Sequence, residues 1–62
     1  MAKKAIIILA TGFEEIEAVT VIDILRRAGI EIIIAGLEGM NITGSHGITI
    51  VADKKLSDLK PD

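Results

Sequence analysis

Apolar side chains arrive along this chain in two unbroken runs, with a periodic stretch between them and an alternating stretch after them. The first run, Ala5-Ile6-Ile7-Ile8-Leu9-Ala10, is rich in β-branched residues and bounded by Lys4 and Gly12. That pattern predicts a strand buried on both faces, central in a parallel sheet. Thr11-Gly12-Phe13-Glu14 fits a capping box, in which the Thr side chain serves an amide of the first turn and the Glu reaches back. A helix is expected to begin there and run through Ala28, with Arg26 and Arg27 near its negative end and Gly29 in the left-handed position beyond it. Glu31-Ile32-Ile33-Ile34-Ala35-Gly36 is the second run, so residues 5–36 predict a β-α-β unit with parallel strands and a right-handed crossover. Asn41-Ile42-Thr43 and Ile48-Thr49-Ile50-Val51 then alternate around Gly44-Ser45-His46-Gly47, the pattern of a hairpin. Asp53 to Leu59 suits one helical turn, Lys60-Pro61-Asp62 is a polar end, and no internal repeat is present.

At 100° per residue, Ala18, Val21, Ile22, Ile24, Leu25 and Ala28 share one arc of the helix, the side expected to face the sheet. Glu14 and Glu17 fall inside that arc, whereas Glu15, Thr20, Asp23, Arg26 and Arg27 fall on the opposite, solvated side. Glu17 is therefore an acid at a core-facing position beside the C-terminal end of the first strand, the edge at which open α/β sheets bind ligands. A carboxyl half-buried there and protonated can donate a hydrogen bond to a reacting group. The bland readings stand beside this one: capping alone accounts for Glu14, and the helix dipole favours acids near any helix start. Ile16 and Val19 lie on the otherwise polar face, either as scattered surface apolar groups or as a subunit contact rimmed by charge. His46 reads as an exposed loop residue with no visible partner rather than as a base or metal ligand.

Composition narrows the chemistry. Half of the 62 residues are apolar and Phe13 is the single aromatic, which excludes disordered and collagen-like classes. The absence of cysteine removes a disulfide framework, a thiolate zinc site and a cysteine nucleophile from this chain, and one histidine does not make a metal cluster. Nine acidic against seven basic side chains leave a net charge of −2, so nucleic acid is not an expected partner. The opening Met1-Ala2-Lys3-Lys4 with six apolar residues is too short for a secretory signal and is followed at once by acids, which predicts a cytoplasmic chain with no membrane partner. Asn41-Ile42-Thr43 fits a glycosylation acceptor, a reading that requires secretion. The glycines after the first strand make neither a dinucleotide fingerprint nor a phosphate loop, and Ala10-Thr11 stand where a phosphorylation receiver domain would carry acids. Two all-apolar strands call for helices on both sheet faces, yet the sequence supplies one long helix and no disulfide or metal staple. The chain is thus expected to complete itself against further protein: the rest of a longer polypeptide, a nicked partner fragment or another subunit.

Ile8-Leu9-Ala10-Thr11-Gly12-Phe13-Glu14-Glu15-Ile16-Glu17-Ala18-Val19, Asp23-Ile24-Leu25-Arg26-Arg27-Ala28-Gly29-Ile30 and the Ala35-Gly36-Leu37 after the second strand closely resemble the start of the DJ-1/ThiJ/PfpI family. The G-x-E-E-x-E-x-V segment, followed by D-x-x-R-R-x-G, fits the branch of the human deglycase-like protein and its bacterial ThiJ-like relatives. The resemblance implies that residues 1–62 are the N-terminal part of one domain, about its first third. The implied fold is a flavodoxin-like α/β sandwich with a mainly parallel sheet, of which this chain holds only the first β-α-β unit plus a hairpin. It also implies a homodimer and a cysteine on a strained elbow, contributed with its His partner and oxyanion-binding glycines by the remainder of the domain. Glu17 matches the family acid that hydrogen-bonds the cysteine and would be the catalytic acid/base. Glu14 matches a pocket-lining acid, with Gly12 beside it in the substrate pocket. Arg27 matches a basic residue near the dimer interface, and the helix and hairpin of that interface would bring in Ile16, Val19 and His46. Gly44 and His46 depart from the cysteine and arginine common in the human-like hairpin. The implied function is a cysteine-dependent glyoxalase or deglycase acting on reactive carbonyls such as methylglyoxal, with no cofactor and no metal. The alternatives are a redox-sensing or chaperone-like stress protein and a PfpI-type intracellular peptidase.

Overall fold

The computed structural model describes residues 3–59, so the polar end Lys60-Pro61-Asp62 lies outside the described residues. Strand β1 (Lys4–Leu9), helix α1 (Glu15–Arg27), strand β2 (Glu31–Gly36), the short strands β3 (Asn41–Thr43) and β4 (Thr49–Val51), and the two-residue β5 (Lys54–Lys55) follow in order. β1 and β2 are parallel, with Lys4 opposite Glu31 and Leu9 opposite Gly36, which is the β-α-β unit expected from the sequence. β3 and β4 form the antiparallel hairpin, Thr43 facing Thr49, and their hydroxyls lie 2.9 Å apart.

Three features differ from expectation. β2, not β1, is the central strand among those described, because β5 adds in parallel at Ala35 and Gly36 and gives the order β1-β2-β5. β1 is not buried on both faces: Leu9 is buried and Ala5 and Ile7 half-buried on the helix side, while Ile6 and Ile8 are 52% and 54% exposed on the other. One helix covers one sheet face, so the unbroken isoleucines leave the other face bare, as the shortage of helices required. Third, Thr11 does not cap α1. The cap is Glu14, in extended backbone, whose carboxylate accepts the Ile16 amide at 3.2 Å. A tight turn separates Thr11 from the helix, closed by the Phe13 amide on the Ala10 carbonyl, and Glu38 accepts the Thr11 amide at 2.8 Å.

The far end of α1 closes as the sequence indicates. The Ile30 amide donates to Leu25 and the Gly29 amide to Arg26, both at 3.0 Å, and Gly29 takes φ +87° to allow it. Arg26 then ties the helix to β2, its guanidinium donating to the Ile32 carbonyl at 3.0 Å and lying 3.6 Å from Asp53. Asp53 in turn accepts the Ile34 amide at 2.8 Å and donates its own amide to the Ile34 carbonyl, which sets up β5. The one turn expected between Asp53 and Leu59 is a 3-10 turn at Leu56–Asp58. Leu9, Ile22, Ile32, Ile34, Ile42 and Ala52 make the core, with Ile42 of the hairpin 0% exposed. A fully buried Leu or Ile contributes roughly 1.5–3 kcal/mol by leaving water, so the hairpin is part of the core rather than an appendage to it.

Candidate functional site

The chain leaves the C-terminal end of β1, turns through Thr11 and Gly12, and enters α1 at Glu14 and Glu15. The hairpin is fastened over this turn: the Gly12 amide donates to the Thr43 carbonyl at 2.8 Å and the Ser45 amide to the Phe13 carbonyl at 2.9 Å. The three acids of this helical start are thereby divided between two environments.

Glu14 and Glu17 open onto a concavity of about 310 Å³, whose other walls are Ile7, Phe13, Ala18 and Val21. The lining is apolar with two carboxylates at the rim, the composition of a small-molecule site. Glu17 is exposed rather than half-buried. Gly12 is engaged with the hairpin instead of lining that space.

Glu15 is buried, 5% exposed, which reverses its assignment to the solvated face. The inward side of α1 is Glu15, Ala18, Ile22 and Leu25, while Val21 and Ile24 on the expected arc remain exposed. Its carboxylate is clasped by the hairpin turn. Oε2 accepts the His46 amide at 2.6 Å and the Ile48 amide at 3.4 Å; Oε1 lies 2.9 Å from His46 Nδ1 and accepts the Ser45 hydroxyl at 3.4 Å. Burial by itself pushes the carboxyl up, but the imidazole and the backbone amides prevail and lower it from 4.5 to about 2. His46 is raised above its ordinary 6.5 by the hydrogen bond and charge of Glu15 and by the charge of Glu14, against a small desolvation effect. The imidazole is thus paired rather than partnerless. Glu38 is lowered as well, by the Thr11 amide it accepts. Donor atoms of Glu14, Glu15 and His46 come within 4.8 Å of one another, yet the Glu15 oxygens are already taken by amides, hydroxyl and imidazole, an arrangement of hydrogen bonds rather than of cation ligands.

On the outer side, Ile16 (77% exposed) and Val19 lie with Thr20 and Ile48 around a second concavity of about 340 Å³, and His46 adjoins Ile16 and Ile48. Arg27 is not part of that patch: it stands eleven residues along the helix from Ile16, about 16 Å by helical rise, and pairs with Asp23 at 3.0 Å. Glu15 and Glu38 are the site residues that sequence reasoning missed. For Glu15 a signal existed in the three-four-three spacing of Glu15, Ala18, Ile22 and Leu25, hidden because the first member is charged.

No helix among the described residues is long and apolar enough to cross a membrane. Protein DJ-1 homolog B of Arabidopsis thaliana is 45% identical over 58 residues, which is 92% of this chain and 13% of that protein. The Parkinson disease protein 7 homolog of Danio rerio is 44% identical over 57 residues, 90% of this chain and 30% of that protein. The crystal structure of Drosophila melanogaster DJ-1beta superposes with a TM-score of 0.88 at 43% identity, over 92% of this chain and 31% of that one. The chain therefore spans a third or less of the length of these relatives. Its parallel β-α-β unit and hairpin have the fold of DJ-1 superfamily structures. A model of the DJ-1/PfpI family matches residues 3–62, and the chain belongs to that family.

Proposed function

We propose that this chain is the N-terminal part of a cysteine-dependent glyoxalase or deglycase-type domain that acts on reactive carbonyls such as methylglyoxal, with Glu17 as its acid/base. The observation that carries the reading is the apolar concavity at the end of β1 with Glu14 and Glu17 at its rim, in a chain of the DJ-1/PfpI family. This chain holds no cysteine, so the nucleophile comes from the remainder of the domain, which covers the bare side of the concavity. In the reaction the thiolate adds to the aldehyde carbon of methylglyoxal. Glu17 delivers a proton to the oxyanion, then moves protons between the adjacent carbons through an enediol intermediate. Water cleaves the resulting thioester, releasing lactate and the thiol, so the net change is addition of one water. Glu14 caps the helix and faces the same ligand. The apolar patch of Ile16, Val19 and Ile48 beside His46 supports a second copy of the protein as partner, with Arg27 contributing at the other end of the helix.

Glu17→Gln in the full-length protein keeps the shape and removes the transferable proton. Methylglyoxal turnover is expected to fall on the order of 10²–10⁴-fold, the range for loss of a positioned acid/base. A variant with parental turnover sinks the assignment. Undiminished turnover by a protein whose cysteine has been replaced would sink the reaction class. A parental protein that turns over no carbonyl yet takes up oxygen atoms at its cysteine under peroxide, followed by mass spectrometry, would move the chain to the redox-sensing class.

A further inference from the structure

We propose that Glu15 and His46 form a proton-dependent clip that fixes the β3–β4 turn onto the first turn of α1, so that the charge on His46 sets how firmly Glu14 and Glu17 are held at their concavity. The proposal concerns positioning and does not require the carbonyl chemistry.

The geometry is that of a latch with one half buried in the chain and the other at its surface. Within this chain the Glu15 side chain is 6% exposed, whereas that of His46 is 70% exposed. All the polar contacts of the carboxylate beyond its own residue come from one turn: Ser45, His46 and Ile48, some thirty residues away in sequence. Gly44 leaves room for it, since a Cβ there would lie 2.5 Å from the carboxylate carbon. The groups that act on the imidazole are Glu15 and Glu14 from the helix start and the Ser45 hydroxyl, 3.0 Å away on its own turn. Both charged neighbours are acidic, so the closed latch favours the imidazolium, in agreement with the raised titration of His46. When the proton leaves, the carboxylate keeps its amides but loses the ion pair, and the neutral ring offers it either one N–H or a lone pair. Glu14 immediately precedes Glu15 and Glu17 lies two residues on, in the same turn of backbone. Loosening at Glu15 therefore passes to both acids without any further element moving.

The test is nuclear magnetic resonance of the full-length protein between pH 5 and pH 9, following the His46 ring protons and the amides of His46, Ile48 and Glu17. The ring is expected to titrate above 6.5. Amide protection at His46 and Ile48, corrected for intrinsic exchange, is expected to fall by up to about fivefold through the same midpoint, the factor matching an ion pair with one exposed partner. The Glu17 amide shift should move with that midpoint. His46→Arg keeps a charge that does not titrate in this range and should flatten the amide protection of the turn and the Glu17 shift. A ring that titrates at or below 6.5, protection that ignores its midpoint, or a His46→Arg protein with the parental curves overturns the proposal. If His46→Arg does not fold, the parental curves decide alone. Turnover is not read, so failure of the carbonyl chemistry and failure of the clip are separate results.

Discussion

Gly44→Ala puts a methyl group where the Glu15 carboxylate sits. The new Cβ would lie 2.5 Å from Cδ and Oε2 of Glu15 and 2.7 Å from Cγ, about 1 Å inside ordinary contact. The backbone of Gly44 has little freedom to retreat, because its amide donates to the Ile48 carbonyl at 2.8 Å and its carbonyl accepts the Gly47 amide at 3.1 Å. The carboxylate is the far end of a flexible side chain and gives way first, abandoning the amides and imidazole of the turn. The expected loss of stability is about 1–3 kcal/mol, the range for forcing a methyl group into filled space. His46, deprived of its partner, should titrate nearer 6.5. The decisive comparison is a double-mutant cycle by urea unfolding of the full-length protein. Glu15→Ala removes the obstacle, and the three atoms nearest the added Cβ all belong to Glu15, so Gly44→Ala in that background should cost no more than about 0.5 kcal/mol. Additive effects of the two substitutions, with His46 titrating as in the parent, would refute the placement of the carboxylate against Gly44.

Two further outcomes follow from the same contacts. Ile42→Ala opens a cavity at a fully buried hairpin position and should cost about 2–5 kcal/mol by urea unfolding; a cost within 0.5 kcal/mol would detach the hairpin from the core. The Glu15–His46 pair also predicts the signs of two pH limbs of stability. Glu15 is lowered by folding, so its contribution is present above its ordinary 4.5 and lost as pH falls toward about 2. His46 is raised, so its contribution is full below 6.5 and lost as pH rises through its folded-state value. Stability from this pair should peak between about pH 4.5 and 6.5 in thermal melts, and Glu15→Gln should flatten both limbs relative to the parent.

The elements legible in the sequence are those whose signal is local. An all-apolar run, a 3.6-residue periodicity closed by Gly29 and an alternating pair around a Gly-rich turn each need only their own neighbours, and β1, α1, β2 and the hairpin follow from them. β5 is two lysines whose strand character comes wholly from Ala35 and Gly36, so no window of sequence contains it. The capping box at Thr11 failed for a related reason: a pattern of spacing cannot register that Gly12 is drawn to Thr43 and the Thr11 amide to Glu38. Glu15 is the instructive case. Helical periodicity assigns faces by apolarity, and a buried charge is counted as solvated unless its partners are known; here they stand 30 to 33 residues away in the hairpin turn. The segment Glu14-Glu15-Ile16-Glu17 looks like one acidic helix start favoured by the dipole, but its acids divide their work. Glu14 caps the helix and Glu15 secures the hairpin, both with their carboxylates engaged by backbone amides. Among these three acids, Glu17 is left with no such engagement among the described contacts, which leaves its carboxyl free for the acid/base role proposed for it.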